Sequence, residues 1–206
     1  MLRYRKNRYG LTFRKIRLTQ GKFAIVDSED FEKLNQYKWY AVRSHLENFY
    51  AVRMTQGPHR IRKFIAMHRF IMNPPSGFII DHKDSIGLNN TRQNLRIATV
   101  LQNNRNCRKQ LKKTSSKYKG VCCDKQRNRF RADIKLIGKR KFLGHFDNQI
   151  DAAKAYDNAA EELYGEFANL NFPKNGDSPN NDLYNRILSS RIERFIDYLS
   201  TLFDVN

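Results

Sequence analysis

The chain has 206 residues, enough for one large domain or two small ones, and 40% of them are hydrophobic. Lys and Arg number 39 against 20 Asp and Glu, a formal net charge of +19, so we expect a polyanionic partner, usually nucleic acid. The apolar runs are too short for a membrane span and the basic N-terminus lacks the apolar stretch of a signal peptide. We therefore expect no membrane partner and an intracellular location, either cytoplasmic and nucleoid-associated or in a phage-encoded setting.

Three cysteines, Cys107, Cys122 and Cys123, are too few and wrongly spaced for a disulfide framework or a zinc site. Cys122 and Cys123 are adjacent, so on a strand they would point to opposite faces and could not share a metal. The sequence predicts no bound zinc.

The first half of the chain reads as a basic arm followed by a β-rich region. Residues 1–10 are basic and predict a flexible arm, and the alternating apolar residues on both sides of Gln20-Gly21 predict a hairpin. A short helix is expected from Asp27 or Ser28, then two strands at "WYAVRS" and "FYAVRM", and a helix in the second half of residues 60–72. Whether residues 11–60 form a separate domain or extend the next one stays open.

The centre of the chain places polar groups at the ends of apolar elements. The strand "FIIDH" ends at Asp81 and His82, a polar loop leads to a second strand, "NLRIA", and Thr99 is suited to cap a helix through "VLQNNRNC". Hydrolysis of a phosphodiester needs a base to activate water and a divalent metal to stabilise the leaving oxygen. A histidine and a set of oxygen ligands of the kind Mg²⁺ prefers are both present.

Residues 66–106, "MHRFIMNPPSGFIIDHKDSIGLNNTRQNLRIATVLQNNRN", resemble the HNH endonucleases, the ββα-metal nucleases that include many homing enzymes. The resemblance implies His82 as the general base, Asn94 as a residue that braces the loop or orients His82, and Asp81 with Asn103 as ligands of Mg²⁺, for which Mn²⁺ can substitute. His68, Arg69 and Arg96 are implied as phosphate contacts or structural residues. A core histidine is an equally good interpretation of His68.

Residues 117–173 carry a second pattern, three short strands and a helix expected from Asn148 to about Tyr164. Ten basic residues against two acids lie between Lys117 and Phe142, whereas six acids against Lys154 alone lie between Asp147 and Glu166. The motifs "Y.GV", "LG.F", "AA.AYD.AA" and "LNF" resemble the Apetala/ethylene-response-factor domain, which implies a sheet that enters the DNA major groove. The implied or expected DNA contacts are Lys119, Arg127, Arg129, Arg131, Asp133, Lys135, Lys139, Arg140, Lys141 and Phe142. Because Cys122 and Phe142 replace the usual Arg and Trp, the family's target sites do not transfer.

The predicted fold class is α+β. We expect a basic arm (1–10), an N-terminal β region with a ββα-metal nuclease core (11–106), a basic linker (107–116), a three-stranded antiparallel sheet packed on one helix (117–173), and a loop with a C-terminal amphipathic helix (174–206).

The predicted function is metal-dependent cleavage of double-stranded DNA by a homing-type HNH endonuclease whose sheet module provides targeting. One metal centre per chain makes a nick the expected product, and a monomer is favoured while the oligomeric state stays open. The first alternative is a non-catalytic, sequence-specific DNA-binding protein with a decayed nuclease fold. A basic RNA-binding or scaffolding protein is the second.

Overall fold

The computed structural model describes residues 1–44, 48–58, 61–107, 109, 114–173, 186, 187, 189, 190, 193, 194, 196 and 197. His45, His59, half of the predicted basic linker and most of the predicted C-terminal loop and helix lie outside these residues. The described chain divides into two compact units. Unit 1 comprises Met1–Ser76, His82–Ile97 and the described residues of Pro179–Asn206; unit 2 comprises Gly77–Asp81 and the described residues of Ala98–Ser178.

The described chain is a mixed fold of helices and small sheets, as expected for the α+β class. The elements before residue 77 are α1 (Leu2–Tyr9), β1 (Phe13–Arg17), β2 (Phe23–Asp27), α2 (Ser28–Asn35), β3 (Tyr40–Arg43), β4 (Phe49–Met54), β5 (Phe64–Ala66) and α3 (Met67–Met72). They are followed by β6 (Ile79–His82), β7 (Leu95–Ala98), α4 (Val100–Asn106), β8 (Val121–Asp124), β9 (Arg129–Leu136), β10 (Lys139–Phe146), α5 (Gln149–Tyr164) and the 3-10 turn Gly165–Phe167. The sheets are β1–β2, β3–β4–β5, β6–β7 and β10–β9–β8.

The hairpin β1–β2 and helix α2 form the centre of unit 1. The strands are antiparallel, with Ile16 opposite Ala24, and the turn at Gln20-Gly21 has positive φ at both residues, as predicted. Phe13 and Ile25 are fully buried, and burial in β2 is continuous from Ala24 to Val26, so both faces of this strand are covered. Trp39 is also buried, and its indole nitrogen donates to the Leu34 carbonyl at 2.8 Å. This hydrogen bond satisfies the polar atom of an otherwise apolar side chain.

The N-terminal residues form a helix, so the prediction of a flexible arm is wrong. Arg5 of α1 is buried, and its guanidinium donates to the Glu193 carboxylate at 3.0 and 2.7 Å and to the Phe13 carbonyl at 2.8 Å. Lys15 lies 3.2 Å from the same carboxylate. Since Glu193 is 188 residues from Arg5, local composition could not reveal that this basic segment is tied into unit 1.

Unit 2 contains the predicted three-stranded antiparallel sheet covered by one helix. Ala132 of β9 packs on Ala152 and Ala153 of α5, all three fully buried, and these small side chains let the helix approach the sheet closely. Asn148 caps α5 by accepting from the amides of Ile150 and Asp151.

The segment after α5 is fixed by a buried carboxylate. Asp157 accepts hydrogen bonds from the backbone amides of Asn171 and Phe172 and from the Asn171 side chain. The "LNF" segment is thereby held against the helix.

No helix in the described part of the chain is both long and apolar enough to cross a membrane.

A matched pair of glycines tests the packing of unit 2. Gly120 and Gly138 have φ of +76° and +78°, but a Cβ on Gly120 would lie 1.9 Å from the Tyr156 ring, whereas a Cβ on Gly138 would meet nothing within 4 Å. Gly138→Ala should cost about 1 kcal/mol of unfolding free energy, from backbone strain alone. Gly120→Ala should cost at least about 2 kcal/mol more, because the ring or the backbone must move. Equal losses in denaturant titrations of the two variants would contradict this packing.

Candidate active site

Strand β6 ends in two buried polar residues. Asp81 and His82 are 4% and 5% exposed, although each would be strongly hydrated in the unfolded chain. Neighbouring residues on a strand point to opposite faces, and these two have different partners. Asp81 belongs to unit 2 and His82 to unit 1.

Asp81 is held by the last turn of α4. Both of its carboxylate oxygens accept from Asn106 Nδ2, at 2.9 and 3.1 Å. Asn103 lies three residues before Asn106 on the same helix, and residues with this spacing share a helix face. Thr99 starts α4 with a capping box to Gln102, as expected from the sequence. The structure thus brings Asp81 to the face of α4 that carries Asn103, with Asn106 as the residue in contact.

His82 lies among aromatic rings of unit 1. Its ring centre is 5.1 Å from that of His68 and 5.8 Å from that of Tyr50, both in edge-to-face geometry. Burial lowers the pKa of His82 to about 3, and the neighbouring His68 contributes in the same direction while the Asn90 side chain opposes the shift. Burial, with Arg69 as a smaller cause, lowers the pKa of His68 to about 4. Both imidazoles are therefore neutral at pH 7 and able to accept a proton.

The loop between β6 and β7 is held by Asn94. Its Nδ2 donates to Asp84 Oδ1 at 2.9 Å and to the Asn89 carbonyl at 2.8 Å, and its Oδ1 accepts from the Asp84 amide at 3.1 Å. Asn89 adds a 2.6 Å hydrogen bond to the other Asp84 oxygen. Gly87 allows the loop to pass close to Tyr50, since a Cβ there would lie 2.6 Å from that ring. These hydrogen bonds of Asn94 all lie within the loop between β6 and β7.

Arg69 and Arg96 occupy different surroundings in unit 1. Arg69 is exposed on α3, and Arg96 is half-buried on β7.

The Asp81 carboxylate has the Asn106 amide as a hydrogen-bond partner. The Cys107 thiol also lies close enough for Asp81 to help raise its pKa, which burial raises most. Within the described ranges, no cluster of three or more His, Cys, Asp or Glu side chains is placed to hold a metal ion. A carboxylate and an amide oxygen are nevertheless ligands that suit Mg²⁺, which keeps several of its waters and needs few protein groups.

The open face of the β10–β9–β8 sheet is basic. Arg131, Asp133 and Lys135 of β9 alternate with Ala132 and Ile134, which face α5, as the sequence predicts. Three of the candidate DNA contacts form ion pairs with nearby acids: Arg127 with Asp124 at 3.1 Å, Arg129 with Asp147 at 2.9 Å, and Arg131 with Asp133 at 2.8 Å.

The remaining candidates of this face differ among themselves. In the described part of the chain, no carboxylate pairs with Lys135, Lys139, Arg140 or Lys141, and all four are exposed. The Phe142 ring is 51% exposed, with the Arg131 guanidinium 5.4 Å from its centre. Lys119 is different: its ammonium group is partly buried and donates to the Arg105 carbonyl at 2.5 Å.

Sequence reasoning missed three residues of these surroundings. Asn106 could have been found, because it follows Asn103 by one helical turn in "QNNRN". Asp84 had only the weak signal of a second acid after Asp81. Tyr50 gave no signal, since its contact with His82 joins residues 32 positions apart and depends on the fold.

The depressed histidine pKa values predict a loss of stability in acid. Between about pH 6.5 and pH 4 the unfolded chain binds protons on His68 and His82 that the folded chain does not, so the unfolding free energy is fully present above pH 6.5 and falls as the pH drops. His68→Phe keeps an aromatic ring beside Tyr50 and removes one titrating group. Between pH 6.5 and pH 4 the unfolding free energy of the variant should therefore fall less than that of wild type, and the difference should be on the order of 2–3 kcal/mol at most. Urea titrations measure both pH profiles. Parallel profiles would contradict the assignment.

One similarity to a curated protein extends over most of the chain. The chain is 35% identical over 149 residues to a protein of Acanthamoeba polyphaga mimivirus named "Uncharacterized HNH endonuclease L560", which is 72% of this chain and 74% of that protein. No family model matches the chain.

A shorter similarity is to plant proteins with APETALA2-type names. Over 58 residues, 28% of this chain, it is 41% identical to the AP2-like ethylene-responsive transcription factor TOE2 of Arabidopsis thaliana and to APETALA2-like protein 2 of Oryza sativa subsp. indica. These segments are only 12% and 13% of the plant proteins, so they support a partial likeness. The similarity to the viral protein, in contrast, covers 72% of this chain and 74% of that protein. The chain belongs to the HNH endonuclease family.

Proposed function

We propose that this protein is a metal-dependent endonuclease of homing type that hydrolyses phosphodiester bonds in duplex DNA. The observation that carries the proposal is the buried Asp81 carboxylate bound to the asparagine-bearing face of α4, in a member of the HNH family. We interpret β6, β7 and α4 as the ββα-metal core that this family uses. A net charge of +19 suits a nucleic acid substrate.

Asp81 and Asn103 are the residues that would hold the metal, Mg²⁺ or Mn²⁺. When bound, such an ion stabilises negative charge that develops on the scissile phosphate and the leaving oxygen. Asn106 keeps the Asp81 carboxylate oriented, since its Nδ2 contacts both oxygens. Asn103 and Asn106 are one turn apart, so one helix turn provides a ligand and a residue that orients the other ligand.

His82 is the residue that would activate water. Its imidazole is neutral at pH 7, the form that can take a proton from an attacking water, but the pKa of about 3 that burial produces makes the ring a weak base in the absence of DNA. A phosphate bound nearby would raise this pKa toward neutrality, since a negative charge favours the protonated ring. His68 and Tyr50 contact the ring edge-on and restrict its orientation.

The sheet module would contribute most of the DNA affinity. Lys135, Lys139, Arg140 and Lys141 are exposed and suited to contact phosphates, which fix register without reading sequence. Arg131 beside Phe142 offers a cation and an exposed ring on the same face of the sheet. The partial likeness to plant DNA-binding proteins supports this role.

A plasmid assay tests the activity. Wild-type protein should convert supercoiled DNA to open circles with Mg²⁺ and not with EDTA. His82→Ala should lose about 10²–10⁴-fold in rate, the usual contribution of a general base, while still retarding the same DNA in a gel. One centre per chain predicts nicked circles before linear product.

The opposite outcome is equally informative. Wild-type protein that binds DNA of many sequences with Mg²⁺ or Mn²⁺ but nicks none of it would identify a non-catalytic DNA-binding protein. Nicking retained by His82→Ala would reject His82 as the base.

A further inference from the structure

The last turn of α4 ends in carbonyl groups that a helix cannot satisfy by itself. One of them, the Arg105 carbonyl, accepts a hydrogen bond from Lys119 Nζ at 2.5 Å. Arg105 immediately precedes Asn106, the residue that binds the Asp81 carboxylate. The ammonium group of Lys119 therefore acts on the turn that carries the contact to Asp81.

Lys119 is itself held firmly by its backbone. Its amide donates to Asn171 Oδ1 at 2.7 Å, and its carbonyl accepts from Asn171 Nδ2 at 3.1 Å. Asn171 in turn donates to Asp157 on α5. Burial lowers the pKa of the Lys119 ammonium group to about 8, so the group is still charged at neutral pH.

Two further contacts attach the same end of α4 to the sheet module. The Arg105 guanidinium lies 4.8 Å from the centre of the Tyr164 ring at the end of α5. Lys109, three residues beyond the helix, donates to the carbonyls of Tyr118 and Val121 at 2.5 and 3.1 Å. These contacts all lie within unit 2.

We propose that Lys119 is a positioning residue of the nuclease centre, which fixes the last turn of α4 so that Asn106 stays on Asp81 and Asn103 stays beside it. The sheet module is then part of the support of the cutting centre as well as a DNA-binding surface. The catalytic part of this inference rests on the proposed function; the docking of α4 does not.

This role differs from the DNA contact that the resemblance implies for Lys119. A DNA contact predicts that loss of the ammonium group weakens binding and lowers the salt dependence of log K by about 0.9. A positioning role predicts nearly unchanged binding and a loosened α4. Lys135 provides the matched control, because it is an exposed lysine of the same module.

The first experiment compares Lys119→Met with Lys135→Met in the full chain without metal. Lys119→Met should bind duplex DNA within about twofold of wild type, with the same salt slope, and its amides at residues 103–107 should exchange hydrogen at least about tenfold faster. Lys135→Met should show weaker binding, a smaller slope and unchanged exchange in α4. In the nicking assay with saturating DNA, Lys119→Met should be at least about tenfold slower and need more Mg²⁺.

A measurement on wild-type protein covers the case in which Lys119→Met does not fold. Acetylation by a small reagent, read by mass spectrometry, should spare Lys119 with or without DNA, while Lys135, Lys139 and Lys141 react in free protein and are protected by DNA. A Lys119 that reacts when free and is protected by DNA would overturn the inference, as would unchanged exchange in Lys119→Met. Hydrogen exchange and acetylation do not depend on cleavage. If wild-type protein cleaves no DNA, the proposed function is wrong, but these two measurements still decide whether Lys119 holds the end of α4.

Discussion

The buried carboxylate of Asp81 constrains the helix that contacts it. Asp81 is 4% exposed, and a charge with so little contact with water must be compensated by hydrogen bonds. Asn106 supplies two of them, so the last turn of α4 cannot move without cost. The capping box of Thr99 and Gln102 fixes the start of this short helix, and Lys119 binds near its end. A helix of seven residues is marginal by itself, and these contacts explain how it can present side chains at fixed positions.

The chemistry near His82 depends on burial in another way. His68 and Tyr50 pack edge-on against the ring, and burial outweighs the opposing effect of the Asn90 side chain, so the imidazole stays neutral far below its usual pKa. Neutrality suits a group that accepts a proton, but burial also makes the site sensitive to acid. Asp81 and His82 are adjacent in the chain, but each is buried among residues of its own unit.

Local signals predicted much of the fold. The hairpin at Gln20-Gly21, the capping of α4 by Thr99 and the capping of α5 by Asn148 depend on residues close in sequence, and all three are confirmed. The helix at residues 2–9 could not be predicted in this way, because Arg5 is buried only through Glu193, far along the chain. Strand β5 was also not predicted. Three residues are too few to show the alternation of apolar and polar side chains, and the strand forms by pairing with β4.

The candidate site shows the same division. Asp81, His82, Asn94 and Asn103 were proposed from spacing and family resemblance, and the structure describes the strand, loop and helix that carry them. Helical spacing could have indicated Asn106 beside Asn103, whereas the contact of Lys119 with α4 depends on how α4 lies in unit 2. From sequence alone, a lysine in a basic segment is predicted to contact phosphate, because the protein group that accepts its hydrogen bond is known only from the structure.

The central claim is that Asp81 and the face of α4 bearing Asn103 form a metal centre, and direct binding of Mn²⁺ in the absence of DNA tests it most directly. Titration followed by electron paramagnetic resonance should find one site per chain in wild type. Asn104→Ala, a change at the exposed neighbouring position, should keep that site. Asn103→Ala should bind Mn²⁺ at least about tenfold more weakly, as expected for loss of a ligand or of its support. Equal Mn²⁺ binding by all three proteins would contradict the account.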